Sequence, residues 1–305
     1  MSRDGYVWWY VDAVSDDGRE ALTIICFIGS VFSPYYAWTR RKGPTDPARH
    51  CCMNVVLYGA SANRWAMTER GAASLARDAT TIRIGPSGLR WEGGVLTVDF
   101  DEVTAPIPGR LKGRLRVHAD AVTPRAFTLD PAGAHRWWPI APSSRVEVVL
   151  EKPALSWKGR AYFDTNDGSE PLEKGFKDWD WCRAPLKDGG AAILYETRPL
   201  DGPSRCLSLR IGRDGSSREI EPPPPVMLPK TRLWRIRRAS RSQAPEAARV
   251  AGTLEDTPFY ARSLLSLRLA GEDATAVHES LDMRRFTNPL VQAMLPFRMP
   301  RAFGR

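Results

Sequence analysis

The chain has 305 residues, 44 of them Lys or Arg and 35 Asp or Glu, for a formal net charge of +9, with 43% hydrophobic residues. These proportions exclude a disordered tail, a collagen-like repeat and a polytopic membrane protein, and the length holds one large β domain or two smaller ones with separate cores. Two counts stand out, 25 Pro and 11 Trp, and the Trp residues are clustered.

Met1 to Gly5 lead into aromatic and acidic residues without a charged region followed by an apolar stretch, so no secretory signal is expected. Tyr6 to Val14 alternates around Trp8-Trp9-Tyr10, and Ser15-Asp16-Asp17-Gly18 separates it from an apolar run, Ala21 to Phe32. Aromatic and β-branched runs joined at Asp-Gly predict a hairpin. The run is shorter than the roughly twenty residues that cross a bilayer as a helix, and reads as a buried strand. Cys51-Cys52 continue into Met53 to Leu57, again a strand pattern rather than a redox pair. Cys26, Cys51, Cys52, Cys182 and Cys206 are odd in number and lack CxxC spacing, which predicts a reducing cytoplasm. Met67 to Arg77 predicts one short helix.

Residues 137 to 181 hold five of the 11 Trp: Trp137, Trp138, Trp157, Trp179 and Trp181. If Trp157 to Asp164 is a strand, period-two alternation puts Tyr162 and Asp164 on one face, and His135 and Trp137 share a face by the same rule. A carboxylate, a phenol, an imidazole and an indole then converge on one pocket. Desolvation there would raise the Asp164 pKa and let it donate a proton near neutral pH, while aromatic faces would stabilise a cation. Bland readings stay open: Asp164 opening a turn through Asp167-Gly168, His135 at the surface, Trp137 in the core. Asp178 and Asp180, flanking Trp179, also fit the paired carboxylates of a glycosidase.

Asp-Gly recurs at Asp188, Asp201 and Asp214, and Ala191 to Thr197 and Cys206 to Ile211 fall between these turns. That rhythm belongs to an antiparallel meander of the kind that builds up-and-down barrels. The chain therefore reads as all-β with few short helices, in two barrel-like domains, 1–172 and 173–305, divided near Pro171 to Lys177. Pro222 to Pro225 cannot enter a ladder interior and reads as a stiff loop within the second domain.

From Lys230 to Arg305 there are 14 Lys or Arg against 7 Asp or Glu. Lys230 to Arg238 resembles a nucleic-acid patch, but Trp234 and Ile236 alternate with Arg235 and Arg237 as in a strand with one solvated face, so no nucleic-acid partner is expected. Asn288-Pro289 predicts a helix start running through Leu295. Beyond Asp282 no acid occurs, while Leu290, Val291, Met294, Leu295, Phe297 and Met299 mix with Arg298, Arg301 and Arg305. Such a tail either lies on an anionic membrane or packs on the barrel as a terminal strand. His50, His118, His135 and His278 are scattered, and no nucleotide-binding loop or nucleophile elbow occurs, so neither metal nor cofactor is expected.

Long strings of the sequence resemble the carotenoid 1,2-hydratase family, the acyclic carotenoid hydratases or hydroxyneurosporene synthases. They are Trp8 to Gly18, Gly29 to Tyr36, Asn54 to Tyr58, Arg64 to Arg70, and Ala161 to Pro171 followed by Trp179-Asp180-Trp181. The resemblance implies two tandem lipocalin-like β-barrels with the site in or near the first. It also implies addition of water, without a cofactor, to the terminal 1,2 double bond of an acyclic carotene such as neurosporene or lycopene. The family's acid lies on a Tyr-x-Asp segment matched by Tyr162-Phe163-Asp164, and its His-x-Trp pair is matched by His135-Arg136-Trp137. On that basis Asp164 is the proton donor, Trp137 and Tyr162 stabilise a tertiary carbocation, and His135 orients the water, accepts its proton or keeps Asp164 protonated. Trp157, Trp179 and Trp181 are candidate substrate contacts. A carotene dissolved in lipid further implies peripheral attachment to the cytoplasmic side of the inner, photosynthetic membrane. A non-enzymatic carotenoid or lipid carrier and a polyene cyclase are the rival readings of the same fold.

Overall fold

A computed structural model describes residues 1–59 and 63–302. The chain divides into two compact units. Residues 1–127, 134–171 and those from Gln292 onward make the first, and Thr128–Gly133 with Leu172–Val291 the second.

In the first unit the sequence alternation becomes a long antiparallel sheet. Its strands are β1 (Tyr6–Ser15), β2 (Glu20–Ile28), β3 (Cys51–Gly59), β4 (Arg64–Arg70), β5 (Leu75–Arg77), β6 (Thr81–Ile84), β7 (Ser87–Glu92), β8 (Val95–Val103) and β9 (Arg110–Ala119). The short β10 (Phe127–Thr128) precedes two long strands, β11 (His135–Lys152) and β12 (Leu155–Gly168). The order across the sheet is β4-β3-β2-β1-β12-β11-β9-β8-β7-β6-β5. The sheet curls until β3 and β4 meet β8.

Inside the curl lie Val11, Ile24, Met53, Val55, Val98, Phe100, Leu115, Val148 and Phe163, with Trp9 and Trp157 packed at the margin. Each fully buried side chain of this size contributes about 1.5–3 kcal/mol, so this cluster is the main stabilising element of the unit. Period two then assigns the opposite face. On β1 that face carries Tyr6, Trp8, Tyr10 and Asp12, and these are buried as well. A strand buried on both faces reads as nearly continuous aromatic and apolar sequence, as Tyr6 to Ala13 does.

The hairpin expected at Asp17-Gly18 forms, with Gly18 at φ 70. The apolar run is a strand only to Ile28. Gly29 turns the chain at φ 72, and Ser33 accepts from the backbone N–H groups of Tyr35 and Tyr36 to start helix α1 (Pro34–Arg40). The helix expected over Met67 to Arg77 does not form. Residues 64–70 are β4, paired with β3 from Leu57↔Arg64 to Cys51↔Arg70, because the exposed edge of β3 takes up their backbone groups. A 3-10 turn, Ala72–Ser74, and β5 follow.

The second unit opens with α2 (Leu172–Gly175) and then β13 (Phe176–Pro185), β14 (Ala191–Pro199), β15 (Arg205–Ile211) and β16 (Ser217–Glu219). Next come β17 (Pro225–Leu228), β18 (Arg238–Arg241), β19 (Arg249–Asp256), β20 (Tyr260–Leu269), β21 (Glu272–Asp282) and α3 (Met283–Phe286). Seven strands form one sheet in the order β16-β15-β14-β13-β21-β20-β19, and β17 pairs with β18. Asp-Gly punctuates the meander as expected: Gly189, Gly202 and Gly215 have φ of 83, 95 and 80. Residues 221–224 are loop, whereas Pro225 opens β17 opposite Arg241, at the first position of the strand where proline is tolerated.

The strand expected over Lys230 to Arg238 is instead a loop up to Arg237. Arg235 has φ 55, and the backbone N–H groups of Leu233 and Trp234 donate to the Asp256 carboxylate rather than to a neighbouring strand. The helix expected from Asn288-Pro289 is α4 (Pro289–Met294), followed by a 3-10 turn, Leu295–Phe297. No terminal strand follows among the described residues. Arg301 makes a single parallel bridge to Glu69, and Arg305 of the basic tail lies outside the described residues.

Candidate active site

Strand register builds the site. On β12, Tyr162, Asp164, Asn166 and Gly168 follow at steps of two along the face away from the aliphatic core. On β1 the partners of the last three are Tyr10, Trp8 and Tyr6. On the other side, β11 sets Trp137 opposite Asn166 and His135 opposite Gly168. One aromatic and polar band thus runs over three adjacent strands. Trp137, Tyr162 and His135 have no exposed surface, and Asp164 is 4% exposed.

Within the band Asp164 is the focus. Trp137 Nε1–H donates to its Oδ2 at 2.8 Å, and the Tyr162 hydroxyl donates to the same oxygen at 2.7 Å. An oxygen with both lone pairs occupied by donors cannot also hold a proton, so when Asp164 is neutral the proton sits on Oδ1. The same donors stabilise the anion left behind, whereas burial favours the neutral acid. Tyr10 stands edge-on to Tyr162 at 6.0 Å, and Phe127 packs on Trp137 at 5.9 Å.

His135 forms a second pair. Its Nδ1 is hydrogen-bonded to the Tyr6 hydroxyl at 2.9 Å, and its Nε2 stands 3.5 Å from Glu170 Oε1. The rings of Tyr6 and Trp8 stack at 5.0 Å. Because His135 lies opposite Gly168, it is offset from Asp164 by four residues of β12, roughly 13 Å at ~3.3 Å per residue. Asn166 occupies the step between them and is 3% exposed. Gly168 belongs to this band and not to a turn. A Cβ there would fall 2.4 Å from Tyr6 Cε1 and 2.8 Å from His135 Nδ1.

The band therefore gathers Asp164, Tyr162, Trp137 and His135, and adds Tyr6, Tyr10, Asn166, Gly168 and Glu170, which sequence reasoning missed. Parity would have found Asn166 and Gly168, since both share the even numbering of Asp164. Tyr6 had no local signal, being 129 residues from His135. Trp157 lies apart from the band. Its odd position puts it on the opposite face, beside the aliphatic core and opposite Val148.

Trp179 and Trp181 lie on β13 of the second unit, on the face away from that unit's aliphatic cluster. They are buried, with Phe176 and Tyr195 around Trp179. The alternating Asp178 and Asp180 both bind the Arg198 guanidinium, and Ser280 Oγ donates to Asp180 at 2.5 Å. Burial works against the Arg198 charge, but Asp180 and Asp178 outweigh it and raise its pKa. Carboxylates engaged in this way serve a structural ion network, which removes the glycosidase reading. Cys51 and Cys52 are buried free thiols, Cys51 pushed up to about 12 by burial, so neither supplies a thiolate.

The sequence family described as carotenoid hydratase CrtC matches residues 24–305. The chain belongs to this family. Among relatives of the carotenoid hydratases, the acyclic carotenoid 1,2-hydratase of Thiocapsa roseopersicina is 57% identical over 98% of the chain and 74% of its own length. That of Rubrivivax gelatinosus is 50% identical over 97% and 73%. Solved structures agree in fold at low identity. A putative AttH from Nitrosomonas europaea superposes with TM-score 0.62 at 14% identity, over 92% of both chains. Kievitone hydratase from Nectria haematococca superposes with TM-score 0.52 at 9% identity, over 92% of this chain and 89% of its own. The carotenoid hydratase fold is thus all-β and lipocalin-like, with few short helices.

Proposed function

We propose that this chain is an acyclic carotenoid 1,2-hydratase that adds water to the terminal 1,2 double bond of carotenes such as neurosporene or lycopene. The observation that carries the reading, beside family membership, is a buried carboxyl group whose Oδ2 is fixed by two neutral donors inside an aromatic band. Asp164 Oδ1 gives its proton to carbon 2, and the π electrons of the double bond form the new C–H bond. The positive charge is left on carbon 1, which bears two methyl groups and is therefore tertiary. Trp137 and Tyr162 hold the resulting carboxylate through Oδ2, and their rings, with that of Tyr10, offer negative faces to the cation. Water adds to carbon 1, and its proton leaves through a relay of water molecules toward His135, which stands roughly 13 Å along β12 from Asp164, held between Tyr6 and Glu170. Return of a proton to Asp164 completes the cycle, so no cofactor is consumed. Trp179 and Trp181 are assigned to substrate contact.

The domain division near residue 172 is kept, with the acid on 1–172, but the segment from Gln292 onward is assigned to the first domain and not to 173–305. We further place the protein at the cytoplasmic side of the inner membrane. No helix among the described residues is long and apolar enough to cross a bilayer, and the free cysteines suit a reducing compartment. The exposed Met294 and Phe297, beside arginines, suit an anionic surface.

Purified protein incubated with lycopene in isotopically labelled water should yield a tertiary alcohol one water heavier that retains label at oxygen. Bound but unchanged pigment would indicate a carrier, and an isomeric product a cyclase; either would overturn the reading.

A further inference from the structure

On the first unit, away from the Asp164 band, a cavity of about 410 Å³ is lined by Tyr35, Trp38, Lys42, Arg49, His50 and Arg301. That volume is typical of small-molecule sites, which run to about 300–1,000 Å³. His50 is buried and Tyr35 and Trp38 half-buried, while Lys42 and Arg49 are exposed, so the cationic groups stand at the mouth above an aromatic wall.

Its inner wall is cross-linked by hydrogen bonds and an ion pair. His50 Nδ1 lies 2.9 Å from Glu69 Oε1, Arg301 bonds the same carboxylate, and Arg301 Nη2–H donates to the Arg49 carbonyl at 3.0 Å. The backbone N–H of Glu69 donates to Pro300 O and that of Ala302 to Glu69 O, both at 2.9 Å, so the C-terminal segment is tied to β4. Glu69 is matched by Arg301. Lys42 and Arg49 have no carboxylate partner among the described residues, which leaves two positive charges at the mouth. Burial, and secondarily the Glu69 charge, raise the pKa of the Tyr35 phenol, which therefore stays a donor.

We propose that this cavity binds the phosphate of an anionic lipid headgroup and fixes the protein on the membrane from which its substrate is drawn. This deepens the surface attachment proposed above and rests on it. Two unmatched cations complement an anionic phosphodiester. Indole and phenol rings sit favourably at headgroup level. Arg41, next to Lys42, donates to Gln292 Oε1 at 2.7 Å, so the segment carrying Met294 and Phe297, exposed by 49% and 74%, runs alongside. Large exposed apolar side chains on the same C-terminal segment that carries Arg301 favour a lipid surface over free phosphate.

The test uses the full chain with vesicles of phosphatidylcholine, with and without phosphatidylglycerol, read by co-sedimentation. Each cation near an anionic surface is worth about fivefold in binding, so K42Q/R49Q should bind the anionic vesicles about 25-fold more weakly. Arg116→Gln with Arg205→Gln, which removes two exposed charges elsewhere, should leave binding unchanged. Short-chain phosphatidylglycerol should bind saturably to the wild type by calorimetry and not to K42Q/R49Q. Equal loss in both double variants would reduce the effect to net charge and overturn the site. Saturable binding of inorganic phosphate, lost in K42Q/R49Q while vesicle binding is retained, would overturn the lipid assignment. Vesicle binding needs no turnover. Absence of hydration in every variant in detergent would therefore count against the proposed function alone.

Discussion

Gly168→Ala is the most revealing single perturbation. The added methyl would lie 2.4 Å from Tyr6 Cε1, 2.7 Å from Tyr6 Cζ and 2.8 Å from His135 Nδ1. Ordinary carbon contacts need about 3.5–4.0 Å, so the Tyr6 ring or the imidazole must move by about 1 Å. Neither has room: Tyr6 is 1% exposed and stacked on Trp8, and His135 is fully buried. Overpacking of this kind costs about 1–3 kcal/mol. Loss of the buried Tyr6–His135 hydrogen bond adds about 1–3 kcal/mol. Replacing a strand glycine returns only about 0.5–1 kcal/mol. The net loss is therefore about 1–5 kcal/mol. Displacing a positioned group by 1 Å costs roughly a hundredfold in rate. Hydration of lycopene, followed by chromatographic separation of the alcohol, should fall by about that factor while the melting temperature drops by several degrees. Gly252→Ala, on β19 with nothing within 4 Å of the new methyl, is the matched control and should keep the rate while the melting temperature holds or rises slightly, from the same ~0.5–1 kcal/mol. Full activity and an unchanged melting temperature in Gly168→Ala would refute both the close approach and any part for the Tyr6–His135 pair.

Asp164→Asn keeps the shape and an oxygen that accepts from Trp137 and Tyr162. It should preserve the circular dichroism spectrum and lower the hydration rate by at least roughly a thousandfold; an active Asn variant would remove Asp164 from the acid role. Tyr162→Phe deletes one donor to Oδ2 and should slow turnover by roughly 10²-fold. Because that donor favours the anion, its loss raises the Asp164 pKa, so the alkaline fall of the rate should shift to higher pH; a shift to lower pH would contradict the geometry. In the second unit, burial first lowers the His278 pKa from its ordinary 6.5, against the raising effect of Asp180. The folded state then takes up a proton less readily than the unfolded one. Its contribution to stability is present above 6.5 and is lost as pH falls from there toward the folded pKa. Melting temperature followed over that window should fall less steeply in His278→Gln than in the parent.

Periodicity and turn chemistry along the chain specify much of the architecture. Aromatic and β-branched alternation with Asp-Gly turns predicts the β1–β2 hairpin and the β13–β15 meander because both signals are local. The same signal misled at Asp167-Gly168, where the dipeptide stays in β12. Here glycine answers to the crowding of Tyr6 and His135, which lie far away in sequence. Likewise the pattern over Met67 to Arg77 looked helical until the edge of β3 claimed its backbone.

For the candidate site, the sequence by itself determined the chemical cast: a Tyr-x-Asp and a His-x-Trp, each pair on one face of a strand by period two. It also determined that Asp178 and Asp180 share a face, though not that one arginine occupies both. Only the tertiary structure decided which strands stand next to β12, and hence that Trp137 and Tyr162 point their donors at one oxygen of Asp164 while Trp157 turns to the aliphatic core. Alternation along a strand is a property of consecutive residues, whereas register between strands is a long-range choice made by packing. A proton-donating site needs both.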